Sequence, residues 1–169
     1  NGTFTMVNAT YVLNGGLLIG SNAFFGGSGR VESGLGATSF GTLSPGNSPG
    51  TLTFSSNLTL AASSVLDIEI GGTNALDFDH LVVDGVFTLG GTLNVNLING
   101  FSPSNDVSFD IVIGGALAGT FSTLNLPSAD WSFSDSTGLL TFTTIPEPGA
   151  AALLAMAAGL GMVLVRRRG

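Results

Sequence analysis

The titratable chemistry of this chain is concentrated between Asp67 and His80. Asp67 and Glu69 stand two apart in Leu66-Asp67-Ile68-Glu69-Ile70, so on a strand both project from one face. Asp77 and Asp79 do the same if their stretch is extended. Oxygen clusters of this kind could hold calcium. The neighbouring Gly71–Asp77 segment fails the calcium-binding nonapeptide, which wants glycine where Asn74 stands and aspartate where Leu76 stands. The plainer reading is a solvated acidic face that favours solubility and discourages edge pairing. No cofactor is therefore expected, and calcium has only Asp67, Glu69, Asp77 and Asp79 as candidate ligands. His80 is the single histidine, beside Asp79, and could suggest a triad with a serine. No G-x-S-x-G nucleophile motif accompanies it, and the aspartates read as turn formers ahead of a strand. A carboxylate pair such as Asp67 and Glu69 could also serve a β-helical carbohydrate-active enzyme. Against that, the chain has one tryptophan, Trp131, and one tyrosine, Tyr11, and Arg30 is the sole arginine before Pro146 in a chain without lysine. No catalytic residue is assigned, and the expectation is a non-enzymatic protein.

The charge balance narrows the partners. Residues 1–145 carry ten carboxylates against one arginine, a net −9, while the segment from Pro146 carries +2. Such a body will not bind nucleic acid by neutralising phosphates, nor favour an anionic membrane surface. There is no cysteine, so neither a disulfide framework nor thiol chemistry is available.

The elements that must position these residues read as strands. No helical apolar stripe appears before Gly149, whereas period-two runs are frequent. Leu66, Ile68 and Ile70 alternate with polar residues, as do Leu93, Val95 and Leu97. Leu81 and Val83 precede a turn predicted at Asp84-Gly85, and Phe87 and Leu89 follow it. Ser108–Ile113 reads as one strand. Trp131–Phe133 and Leu139–Phe142 flank a hairpin turn at Asp135–Gly138. A Gly-Thr-apolar unit recurs at Gly41, Gly50, Gly91 and Gly119, where glycine turns the backbone and a strand follows. Repeated strand-turn units without helices predict an all-β fold, a right-handed parallel β-helix or solenoid over residues 1–145. The alternative is a β-sandwich. Asn94 and Asn96 suit an exposed polar ladder.

A repeat resemblance bears on that choice. Leu43-Ser44-Pro45-Gly46-Asn47-Ser48-Pro49-Gly50-Thr51-Leu52 resembles the segment found in autotransporter passenger-type β-strand repeats. Asp79–Val83 and Leu89–Val95 continue the pattern. The resemblance implies a β-helical surface module. It does not imply an autotransporter, since the chain lacks the amphipathic strands of an outer-membrane barrel. Pro45 and Pro49 would interrupt a central strand, which predicts a loop between rungs there.

The C-terminal residues 146–169 differ from everything before them. Pro146-Glu147-Pro148 precede an uncharged run from Gly149 to Val165, and Arg166, Arg167 and Arg168 follow. The run is long enough, at ~1.5 Å rise per residue, to approach the thickness of a bilayer core. Proline excludes the helix interior, so a transmembrane helix is predicted over 149–165. The arginines mark its cytoplasmic end and place residues 1–145 on the far side. A soluble helix would show a polar face, and this one has none. Small residues four apart, Ala155 with Gly159 and Ala157 with Gly161, belong to an Ala/Gly-rich helix.

This three-part order resembles the PEP-CTERM sorting signal of Gram-negative bacteria. The resemblance places the recognition motif at Pro146, Glu147 and Pro148 and the membrane stop at Arg166–Arg168. It implies recognition and cutting by exosortase, an inner-membrane intermediate with the ectodomain outside the cytoplasm, and release to the cell surface or extracellular matrix. It also implies an association with extracellular polysaccharide. The chain begins at Asn1 without a signal peptide, so an exported protein would be represented here by a fragment or processed form, with more β-structure expected upstream. The resulting expectation is a structural or adhesive cell-envelope protein. The alternatives are an uncut single-span anchored protein and a carbohydrate-active enzyme.

Overall fold

The computed structural model describes residues 2–144. The segment called as sorting motif, transmembrane helix and basic tail lies outside the described residues. Among the described residues no helix is long and apolar enough to cross a membrane; they are all strand, turn and loop.

The chain makes repeated passes, each stacked on the one before. The first pass contains β1 (Thr3–Leu13) and β2 (Leu17–Ile19); the second contains β3 (Phe24–Ser33) and β4 (Ala37–Ser39). The third holds β5 (Thr42–Pro45), β6 (Thr51–Phe54) and β7 (Leu58–Leu60), and the fourth β8 (Val65–Ile70) and β9 (His80–Leu89). The fifth comprises β10 (Thr92–Leu97), β11 (Val107–Asp110) and β12 (Val112–Gly119), and β13 (Thr123–Asn125) opens another. The chain then ends its described course in β14 (Trp131–Ser134) and β15 (Leu139–Phe142). Apart from β11, β14 and β15, every strand belongs to one 12-stranded system of parallel pairings. Parallel ladders do not make the antiparallel sandwich held as the alternative.

Three ladders run through the passes. In the first, Phe4, Phe25, Leu43, Leu66, Leu93 and Leu124 are successive register partners. In the second, Tyr11, Val31, Phe54 and Val83 stack, and in the third Leu17, Ala37, Leu58 and Phe87. The interior members of these columns are buried, while Phe4, Tyr11 and Leu124 at the two ends are partly exposed. Burial of each such leucine or phenylalanine contributes about 1.5–3 kcal/mol relative to leaving it in water. The strand alternation seen in the sequence is the alternation of this core with the outer surface: β8 reads outward at Val65, Asp67 and Glu69 and inward at Leu66, Ile68 and Ile70.

Three local expectations need correction. Asp84-Gly85 is not a reversal. β9 runs through it unbroken, pairing with β6 before it and with β7 after it, so the dipeptide is a corner between ladders. Glycine is required there because a Cβ on Gly85 would collide with Asn57 Oδ1; the same oxygen accepts the Val86 N–H at 2.8 Å. Ser108–Ile113 is two strands rather than one, parted at Ile111, whose C=O accepts the Leu81 N–H at 2.9 Å. Of the Gly-Thr units, those at Gly41, Gly50 and Gly91 do lead into β5, β6 and β10, whereas Gly119 ends β12 and its Thr120 starts no strand.

Beside the parallel system lies an antiparallel sheet in the order β11-β15-β14. The predicted hairpin around Asp135–Gly138 is present, with Phe133 opposite Leu140. Its aromatic side packs onto the coil: Trp131 stacks on Phe109 at 5.7 Å between ring centroids, and Phe109 meets Phe78 edge-on at 5.1 Å.

Candidate functional site

The most unusual polar group lies where the Leu43–Leu52 motif meets the start of β9. Asp79 is in phase with Leu81 and Val83, so its side chain points inward, and it is fully buried. Its Oδ1 accepts the Gly50 N–H at 2.8 Å and its Oδ2 accepts the Glu69 N–H at 2.9 Å. The backbones close the same junction: Asp79 N–H donates to Glu69 C=O and His80 N–H to Gly50 C=O, each at 3.0 Å. One carboxylate thereby ties the third pass, the fourth pass and the motif loop together. Gly46 sits at φ +89°, and a Cβ there would collide with Asp79 Oδ1 and the Gly50 amide. The motif's glycines are what let the loop close over this carboxylate. Outside, the Ser48 hydroxyl donates to Glu69 Oε2 at 2.8 Å and clips the same loop to β8. The loop thus connects two ladders within one pass, rather than one rung to the next as Pro45 and Pro49 had suggested.

Burial pushes the Asp79 carboxyl up to about 7, against the two backbone donors, which favour its ionised form; the Glu69 carboxylate adds to the upward push. His80 moves the other way. Its charged form is disfavoured by burial, while the Phe78 carbonyl and Asp110 oppose that shift. The imidazole lies against Phe78 with ring centroids 4.4 Å apart. No described side-chain hydrogen bond joins it to a serine, to Asp77 or to Asp79.

The four candidate calcium ligands are not brought together. Asp67 faces outward and accepts from Asn94 Nδ2 at 2.6 Å; Asn94 Oδ1 in turn accepts from Asn125 Nδ2 at 2.7 Å. This is a polar ladder, built from Asp67, Asn94 and Asn125 rather than from Asn94 and Asn96. Glu69 faces outward toward Ser48, and Asp77 closes a tight loop by accepting from Asn74 Nδ2 at 2.7 Å. Asp77 and Asp79 do not share an extended face, because the chain turns through residues 72–77 and Asp79 then enters the core. Among the described residues no three or more His, Cys, Asp or Glu are grouped so as to share a metal ion. EDTA, and added calcium after it, are expected to leave the melting temperature unchanged in a differential scanning fluorimetry trace. A rise on adding calcium would show that these carboxylates are drawn together by it.

Arg30 is engaged. Its Nη2 pairs with Asp84 at 2.6 Å and its Nε with Glu32 at 3.3 Å. At this exposure such pairs contribute little stability, but they leave the cation facing carboxylates rather than an anionic ligand. The sorting-motif residues Pro146, Glu147 and Pro148 and the stop residues Arg166, Arg167 and Arg168 lie outside the described residues.

The inward Asp79 was not recognised from the sequence, although its phase with Leu81 and Val83 carried the signal. No protein-family model, no curated protein and no solved structure matches this chain.

Proposed function

We propose that this is an exported, non-enzymatic structural or adhesive protein of the cell envelope or extracellular matrix. Its ectodomain is a right-handed parallel β-helix, and its C-terminal segment is a PEP-CTERM sorting signal recognised and cut by exosortase. The observation that carries the reading is the order of Pro146-Glu147-Pro148, the uncharged Gly149–Val165 run and Arg166–Arg168. The handedness follows from the twist of strands joined in parallel, which makes such crossovers right-handed almost without exception. A passive ectodomain is supported by the use of its polar groups: Asp67, Glu69, Asp77, Asp79 and Arg30 each serve a partner within the fold. The ectodomain's partner in this reading is extracellular polysaccharide, and the inner membrane holds the protein only until the tail is cut.

The test is the C-terminal mass of the protein recovered from its native host. A terminus near residues 145–148, with or without an added group, is the expected result. An intact Gly169 in membrane fractions would overturn the sorting step and leave a single-span anchored protein.

A further inference from the structure

The described chain leaves the fold from the middle of a sheet. β15 lies between β11 and β14, with Phe142 opposite Val107 on one side and Trp131 on the other. Hydrogen bonding continues past the strand. The Thr143 N–H donates to Asp130 C=O at 2.9 Å on the β14 side. On the β11 side Asp106 Oδ1 accepts both the Thr144 N–H at 2.7 Å and the Thr144 hydroxyl at 2.8 Å. These two donors hold the Asp106 carboxyl below its ordinary range, so it is ionised at neutral pH and the bonds are charge-assisted. Both residues are exposed, so this anchor opens by local fraying rather than by unfolding of the whole. Only Ile145 separates Thr144 from Pro146. From Thr144 to Gly149 the chain reaches at most about 18 Å, at ~3.6 Å per residue.

We propose, resting on the sorting reading, that Asp106 is a positioning residue for the cut: by holding Thr144 it keeps the residues ahead of Pro146-Glu147-Pro148 out of the cutting enzyme, and the motif is cut only once this anchor lets go. An enzyme that cuts a chain takes it in extended form and bonds its main-chain N–H and C=O groups. Ahead of the motif those groups belong to Thr143 and Thr144, whose N–H groups already serve Asp130 and Asp106. One N–H cannot satisfy both partners at once. No slack lies between, because the residues after Ile145 belong to the motif and the membrane run themselves. Thr143 and Thr144 must therefore come away from the sheet, and the rate of cutting follows the fraction of molecules in which they have done so. The Asp130 bond is a single backbone contact at the end of a ladder. Asp106 holds Thr144 by two bonds from a side chain 38 residues away in sequence, so it can be changed without altering the recognised segment.

Pulse-chase labelling of the full chain in its native host, read by the masses of the uncut and cut forms, tests this. Asp106→Ala is expected to be cut about fivefold faster than the wild type, the scale of losing one charge-assisted anchor at an exposed site. A Gly-Ser-Gly-Ser spacer between Ile145 and Pro146 leaves every described contact in place. It is expected to speed cutting to a similar degree, and Asp106→Ala added to it is expected to change nothing further. Ser108→Ala, which removes the Ser108–Thr141 hydroxyl contact in the same sheet, is expected to keep the wild-type rate. Equal or slower cutting of Asp106→Ala would overturn the anchor while leaving the sorting reading standing. So would equal acceleration by Ser108→Ala, or acceleration by Asp106→Ala that persists in the spacer background, because general loosening of the fold would then be the cause. A wild-type chain that is never cut would overturn the sorting reading and the anchor with it.

Discussion

Replacement of Asp79 by alanine is expected to destabilise the fold by about 4 kcal/mol at pH 5. The change strands two buried amides, those of Gly50 and Glu69, and each unsatisfied buried donor costs ~1–3 kcal/mol. The pH dependence identifies the cause. The folded-state value for Asp79 is pushed up to about 7 from an ordinary 3.8. Below the ordinary value the side chain is neutral whether the chain is folded or not. As pH rises from there, the unfolded chain releases the proton first, and the folded state loses stability until the buried carboxyl also ionises near 7. A difference of this size amounts to roughly 4 kcal/mol across the window, at ~1.36 kcal/mol per pH unit. The wild-type protein should therefore lose stability between about pH 4 and 7, whereas the Asp79→Ala variant lacks this component and the gap between the two narrows. His80 and Asp106, shifted downward, are present in both proteins and largely cancel in the comparison. Glu69 is the other carboxylate that acts on Asp79, and Glu69→Gln should move the window downward. Urea unfolding at pH 5 and pH 8, followed by the fluorescence of Trp131, measures all three. A gap that stays constant with pH would show that Asp79 is ionised at both.

The same junction shows what the sequence discloses and what it conceals. The alternation at Leu66, Ile68 and Ile70 was legible because a half-buried strand must repeat every two residues. That rule also governs Asp79: counting back from Val83 and Leu81 puts it on the core face. Its charge argued for the surface, since aspartate is almost never fully buried unless its oxygens are satisfied. The compensating donors, on Gly50 and Glu69, are remote in the chain and supplied by backbone, so no side-chain pattern announces them.

Asp84-Gly85 shows the converse error. The dipeptide favours a tight hairpin turn. A two-residue hairpin would set Val83 opposite Val86 and turn Val86 and Thr88 to the core. The buried residues are instead Phe87 and Leu89, in unbroken phase with Val83, while Val86 stays exposed. That phase carries the strand straight through the dipeptide. The Asp67–Asn94–Asn125 ladder was beyond such reasoning. Its steps of 27 and 31 residues differ because the passes carry loops of different length, and only pairing register aligns them.

Unequal pass lengths do not weaken the stacking itself, and Phe87 is where that can be measured. Phe87 is fully buried in the third ladder, with Leu58 as its register partner on one side and Leu117 on the other. Phe87→Ala is expected to cost about 3–5 kcal/mol, the range for deleting a buried phenylalanine and leaving part of its volume empty. The stacked arrangement adds a condition on how that loss combines with others. Each pass touches mainly its neighbours, so stability should behave as a sum of pass and nearest-neighbour terms. Leu58→Ala removes the partner that Phe87 packs on, and the double variant should lose less than the two single losses combined, by ~0.5–3 kcal/mol. Phe25 lies on β3, shares no register partner with Phe87, and its loss should add to that of Phe87→Ala within about 0.5 kcal/mol. Chemical denaturation of the single and double variants supplies both comparisons. Equal coupling of Phe87 to Leu58 and to Phe25 would mean that the passes unfold as one undivided core, and the neighbour-by-neighbour description of this coil would fail.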